Sequence, residues 1–230
     1  MEEMGTPRLL DSDALNLLEA WPGWKSALGR LQAYAEQNAD RVDTSVRELR
    51  SRYSGQPAAA IVDTIASRQR RYKSIVLPFV REVLAEKPEL SLRDLAAAGL
   101  AGRALSRHGE PETVRSVAAG LLRFGEERGL SEWSALESWA AATQPLVIAP
   151  RLDPYVGVAP GIGVALFAYL RMLAGADGVK PDVRVRKGLA SFGFPAPAGE
   201  TGLVLLCETV SGQTGLSLTE LDQVLWLSQE

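Results

Sequence analysis

The stretch that decides the fold is APGIGVALFAYLRMLAGADGVKPDVRVRK, Ala159 to Lys187. Pro160 followed by Gly161 and Gly163 writes a tight turn. Two glycines one residue apart permit backbone conformations closed to other residues and leave N–H groups exposed at the start of the next helix, where an anion such as phosphate binds well. The same signal also suits a plain join between helices. VALFAYLRMLA, residues 164–174, is apolar nearly all round except Arg171, the pattern of a helix buried on most sides and too short to span a bilayer. Pro181 and Asp182 then precede VRVRK, so Asp182 reads as the N-cap of a further helix, its carboxylate accepting backbone N–H groups. Such a cap is compatible with a second, chemical role.

Working outward, helical spacing recurs along the chain and alternating strand patterns are scarce, which predicts an all-α fold. Leu28, Leu31 and Ala35 share one helical face, as do Val42, Val46, Leu49 and Tyr53, before Gly55 and Pro57 interrupt the pattern. From Ala58 it restarts with Ile61 and Ile65, passes through the polar joint SRQRRYK and resumes in SIVLPFV. Ser91 with Asp94, and Ser217 with Glu220, have the spacing of capping boxes and predict two helix starts. TQPLVIAPRLDPYVGVAP, residues 143–160, has four prolines and no helical period, and is expected to be an extended connection with room for a short strand.

Composition narrows the chemistry. A chain of 230 residues with 46% hydrophobic content can bury a substantial core. Cys207 is the only cysteine, which excludes an internal disulfide, a thiolate zinc site and a four-cysteine iron–sulfur cluster within one chain. His108 is the only histidine, so carboxylates must carry most acid–base work. His108 is expected at the surface or at a cap, and Cys207 as a buried apolar filler. The opening MEEMGTPRLL lacks the pattern of a signal peptide, and the expectation is a cytoplasmic protein, nucleoid-associated if bacterial. A net charge of -3 argues against indiscriminate binding to phosphate backbones. Charge is nevertheless concentrated at Arg68, Arg70, Arg71 and Lys73, and again at Arg184, Arg186 and Lys187, clusters that suit either solvated helix faces or a local nucleic-acid contact.

The order of parts in Ala159–Lys187 resembles the signature segment of the helix-hairpin-helix DNA glycosylase superfamily, which includes endonuclease III and the alkylbase glycosylases. In that family a hairpin of the form LPGVG precedes a buried helix, then a loop ending in aspartate, with valine or isoleucine three residues on and basic residues after it. The counterparts are Pro160, Gly161 and Gly163, then Asp182, Val185, Arg186 and Lys187. The segment from Ile65 to Ala97 is similar to the family's early segment, with Ser67 and Gln69 at matching positions, and LTELDQVLWL is similar to a late helix. The resemblance runs in pieces from Ile61 to Leu227 and leaves out the first 55 or so residues.

The resemblance implies a two-lobed fold, with residues 58–174 as the hairpin lobe and residues 1–57 and 175–230 as a discontinuous second lobe. It implies base-excision repair of duplex DNA carrying a damaged base, with Asp182 as the catalytic carboxylate. DNA would be held by Gly161, Ile162, Gly163, Arg68, Gln69, Arg184, Arg186 and Lys187, the wedge falling near Arg68 and Gln69. Strand-cutting members carry a lysine two residues after the second hairpin glycine; here that position is Ala165, so the implied activity is monofunctional hydrolysis of the N-glycosidic bond. No cofactor is required, although family members can hold a monovalent cation with hairpin carbonyls, and neither a metal site nor an obligate protein partner is implied.

A flipped base needs aromatic surface to stack on. Tyr155, Tyr169, Trp133 and Trp139 are the candidates for a base pocket, with Trp226 also available; core packing is the competing role of each. Two other functions remain open on the sequence: a non-catalytic helix-hairpin-helix DNA-binding protein, and an all-α interaction or regulatory protein whose basic clusters are only solvated.

Overall fold

The computed structural model describes residues 18–143 and 147–229. They form helices joined by turns, with no strand among the described residues. In chain order the helices are α1 (Trp24–Gln37), α2 (Ala39–Ser51), α3 (Pro57–Ala66), a π-helical turn (Tyr72–Val76), α4 (Leu77–Glu86), α5 (Leu92–Ala98), α6 (Glu110–Glu126), α7 (Glu132–Ala142), α8 (Ala149–Leu152), α9 (Val164–Leu173), α10 (Val183–Phe192), α11 (Glu200–Thr214) and α12 (Leu218–Leu227). The all-α expectation holds, and no helix among the described residues is long and apolar enough to cross a membrane.

Local signals placed the helix starts well. The amide of Asp94 donates to Ser91 Oγ at 3.1 Å while the amide of Ser91 donates to Asp94 Oδ2 at 3.0 Å, so α5 opens on the expected capping box. Ser217 and Glu220 open α12 in the same reciprocal way, at 3.2 and 2.7 Å. Each box satisfies N–H groups that a helix start otherwise leaves bare.

The 143–160 connection departs from its expectation. Gln144–Leu146 lie outside the described residues, but the remainder holds the short helix α8 rather than a strand. The cause is Asp153, a buried carboxylate. Its Oδ2 accepts the amides of Val156 and Gly157, both at 2.7 Å, and the indole N–H of Trp139 at 3.2 Å, curling the chain into a turn. Side-chain capture of nearby amides competes with strand formation and leaves no periodic trace in the sequence.

Buried apolar residues fall into two clusters. The first runs from Leu49 to Ala174, with Val204, and is built on α3, α6, α7 and α9. The second joins Trp24–Val46 to Val179–Leu227, built on α1, α10, α11 and α12. α2 serves both, with Val42 and Val46 in the second cluster and Leu49 in the first. α9 is buried from Leu166 to Leu173, as its apolar pattern predicts, and Arg171, the exception in that pattern, is buried with it. Trp24, Leu31, Ile61 and Leu121 are among the large side chains with almost no exposure. Residues that carry charge across the seam between the two clusters define the site.

Candidate functional site at the seam between the two cores

Asp182 caps α10. Its Oδ1 accepts the amides of Arg184 at 2.7 Å and Val185 at 3.2 Å, which fixes the carboxylate's orientation. Oδ2 takes no part in the cap and lies 3.9 Å from Lys180 Nζ. The side chain remains 30% exposed, and its two oxygens have different surroundings, one in the cap and the other near the Lys180 ammonium.

Lys180 connects this carboxylate to the first core. Its ammonium donates to Ser67 Oγ at 3.0 Å and rests 4.0 Å above the Tyr169 ring. Burial pushes its pKa down, against the opposing pull of Asp182, Asp63 and Asp222. Beneath Tyr169 lies Asp63, wholly buried on α3. Its Oδ2 accepts the hydroxyls of Tyr53 and Tyr72, both at 2.6 Å, and its Oδ1 accepts that of Tyr169 at 3.1 Å. Arg52 donates to the Tyr72 hydroxyl at 2.8 Å and supplies positive charge. Three hydroxyl donors and a nearby guanidinium offset a desolvation that would otherwise cost several kcal/mol. Burial, then the Asp63 charge, push the Tyr72 phenol up to about 12, so it stays a donor at neutral pH.

The Ser67–Arg71 loop carries the strain. Gln69 is exposed and adopts φ 51, a left-handed conformation that costs a non-glycine residue about 1 kcal/mol or more. Arg107 holds the loop from outside, donating to Arg68 O at 3.1 Å and Gln69 Oε1 at 3.3 Å. Arg70 holds it from inside through a two-pronged pair with Glu110, at 2.8 and 2.7 Å, both side chains nearly buried. Burial alone would raise the Glu110 pKa; the Arg70 hydrogen bonds and the Arg107 amide outweigh it and hold the group below its usual value.

The hairpin packs against the same loop. Gly161 takes φ 83, accessible to glycine at little cost, and its carbonyl accepts from the Arg68 guanidinium. The Pro160 carbonyl accepts from Thr113 Oγ1 at 2.6 Å. Gly163 caps α9 with no side-chain hydrogen bond and is exposed, which presents the first-turn amides of the helix outward. Ile162 packs on the first core.

Compared with family models, with curated proteins and with solved structures, this chain matches none. Its own geometry is therefore what assigns roles.

Several expected contacts are placed elsewhere. Arg186 is engaged by the loop before α11, donating to Pro197 O at 3.1 Å and Ala198 O at 2.5 Å, which gives it a structural role. Arg68 is a hairpin clamp, which leaves the exposed wedge position to Gln69. A cation on the Pro160 and Gly161 carbonyls would have to share them with a hydroxyl and a guanidinium. Trp139 has no exposure: it meets Phe167 edge-on and gives its N–H to Asp153, so its face is closed to a base. Trp133 packs half-buried on the first core. Tyr155 stands edge-on to Phe124 and donates to Glu127 at 2.5 Å. Tyr169 is linked to Asp182 through Lys180, but it is buried with the Lys180 ammonium over its ring and its hydroxyl on Asp63, so its face too is occupied. Lys187 is exposed, His108 is exposed, and Cys207 is buried with its thiol pKa pushed up by desolvation.

Sequence reasoning missed Lys180, Asp63, Tyr53, Tyr72, Arg52 and Asp222. It also missed the role of Trp226, whose ring is approached by Lys73 at 4.9 Å and by Arg184 at 5.1 Å, one cation from each side of the seam. No group of three or more His, Cys, Asp or Glu among the described residues is arranged to hold a metal ion.

Proposed function

We propose that this chain binds duplex DNA and hydrolyses the N-glycosidic bond of a flipped, damaged base, as a monofunctional glycosylase with a helix-hairpin-helix architecture. The observation that carries the reading is the divided role of Asp182: Oδ1 is locked by two amides while Oδ2 stays out of the cap, 3.9 Å from Lys180 Nζ, on a side chain that is 30% exposed. A carboxylate oriented this way stabilises positive charge that develops on the sugar as the base departs, and orients or deprotonates the attacking water.

The surroundings support the reading. Basic groups from both cores, Lys73 and Arg184, meet at the Trp226 ring, although the chain as a whole is acidic. Local charge of this kind holds a phosphate backbone with the salt dependence of counterion release. The uncapped start of α9 behind Gly161 and Gly163 offers amides to one phosphate. Gln69, exposed and strained on a doubly anchored loop, is the side chain to enter the stack as the base leaves it, a step that costs a few kcal/mol.

The test is a base-release assay on duplexes carrying alkylated, deaminated or oxidised bases, with alkali to reveal abasic sites. Wild-type release from one lesion class, reduced on the order of a hundredfold in Asp182→Asn with duplex binding retained, is the expected outcome. Equal turnover by the variant removes Asp182 from the chemistry. Binding without release from any lesion favours a non-catalytic hairpin protein, and affinity indifferent to salt favours a protein with no DNA function.

A further inference from the structure

Asp222 lies on α12, 8% exposed, and no part of the proposed reaction uses it directly. Its Oδ1 accepts the backbone N–H of Lys180 at 2.9 Å. That N–H opens a three-residue turn, Lys180–Pro181–Asp182, closed by the amide of Asp182 donating to the carbonyl of Lys180 at 2.7 Å. Proline fixes its own φ and offers no N–H, so the turn has few internal restraints beyond that closure. Its entry is held from α12, and its exit is the capped start of α10.

The carboxylate is itself held. Its Oδ2 accepts from Gln223 Nε2 at 3.0 Å, and Gln223 Oε1 accepts the Ser45 hydroxyl of α2 at 2.5 Å. The groups that face it are Lys180 and Asp182 from the turn, Cys207 from α11 and, through Gln223, Ser45 from α2; Arg184 at the start of α10 acts on it by way of Lys180. Among the described residues it forms no ion pair, and the Lys180 charge and the Gln223 hydrogen bond offset its burial only in part.

We propose that Asp222 is a positioning residue for Asp182, its carboxylate anchoring the Lys180–Asp182 turn so that the charge state of one sets the placement of the other. The inference rests on the base-excision reading of Asp182. Burial raises Asp222 to about 7, with the neighbouring Asp182 charge acting in the same direction and the Lys180 amide against it. Ionised Asp222 accepts a charge-assisted bond from the amide, about twice as strong as the bond to a neutral acid. The anchor therefore tightens as pH rises through neutrality, and base release rises with it.

The test has two arms on the full chain. In the first, the Lys180 amide resonance is followed by NMR from about pH 5.5 to 8.5 in wild type and in Asp222→Asn; it titrates near neutrality in wild type and stays flat in the variant. In the second, single-turnover base release is measured over the same range; the wild-type rate climbs through neutrality, while the variant is level and roughly five- to tenfold slower at the alkaline end, with duplex affinity unchanged. A Lys180 amide that does not titrate overturns the anchor without recourse to any variant. Release that depends on Asp182 but keeps its inflection in Asp222→Asn overturns it too, and leaves the base-excision reading intact. Absence of release by wild type from every lesion removes that reading, and the positioning role falls with it.

Discussion

Replacing Asp222 with Asn should stabilise the protein, and by an amount that grows with pH. Asn preserves shape and an oxygen acceptor for the Lys180 amide. Rotating the Gln223 amide lets its oxygen meet the new Asn donor while its nitrogen turns to Ser45. What the substitution removes is the cost of a buried charge. With a folded pKa of about 7 against an ordinary 3.8, the native state binds the extra proton over that interval. Stability therefore falls as pH rises through the window, because a raised carboxylate pKa favours the native state only while the group is protonated. Three pK units or so at about 1.4 kcal/mol each make the full penalty on the order of 4 kcal/mol above neutrality. For a chain of this length that corresponds to a shift in Tm of roughly 10 °C. The assay is thermal denaturation of wild type and variant between about pH 4 and 8.5. The two curves should coincide at the acid end and separate through neutrality with the variant higher; titrations shared by both proteins cancel in the difference. A gap independent of pH, or a variant less stable at pH 8, would refute the account of Asp222 as a buried carboxylate whose desolvation its partners offset only in part.

Three further substitutions test the packing of the site. Arg70→Ala leaves Glu110 buried without its two-pronged partner and should cost about 3–5 kcal/mol in denaturant titration, with the Ser67–Arg71 loop losing amide-exchange protection; a loss below about 1 kcal/mol would show that the pair is dispensable. Arg171→Met replaces a wholly buried guanidinium whose Nη1 and Nη2 have no hydrogen-bond partner among the described residues and whose pKa burial lowers to about 10; it should be neutral or stabilising by up to about 3 kcal/mol, and a marked loss would mean that the Nε bond to Ala140 O dominates. Gly120→Ala drives a methyl into the backbone of Tyr155, so it should destabilise by about 1–3 kcal/mol, with a near-wild-type Tm refuting that close approach.

What was legible in the sequence was local. The capping boxes at Ser91 and Ser217, the buried helix after Gly163 and the cap at Asp182 each depend on residues within one or two turns of one another, and each is present. What was not legible is long-range. Asp63 meets Tyr169 across 106 positions, and Lys180 meets Ser67 across 113. No periodicity forecasts such pairs, and Asp63 sits in PAAAIVDTIA, where a lone acid looks like a surface residue until every position of α3 is seen to be buried. Arg68 and Arg186 have carbonyl partners that the sequence did not forecast, for a different reason. A basic side chain beside a hairpin or a capping aspartate has the composition of a phosphate contact, yet an unpaired backbone carbonyl within reach competes for it, and in both cases the carbonyl is the partner the structure shows.

The distribution of cost in this fold points to the seam independently of any resemblance. Asp63, although buried, is fully satisfied by three hydroxyls, and Glu110 by a guanidinium, so their burial serves packing. Gln69 and Asp222 are different. Glycine at 69 would relieve the left-handed backbone, and Asn at 222 would take the Lys180 amide without desolvating a charge, so neither residue is what stability alone would select. Both converge on Asp182, Asp222 through the turn that carries it and Gln69 through the loop whose Ser67 receives Lys180. Backbone strain and a costly buried carboxylate persist where the surrounding structure holds them in place and function uses them. Two unrelated costs meeting at one half-exposed carboxylate are therefore evidence about that carboxylate, and they make Asp182 the residue on which the chemistry of this protein is to be tested.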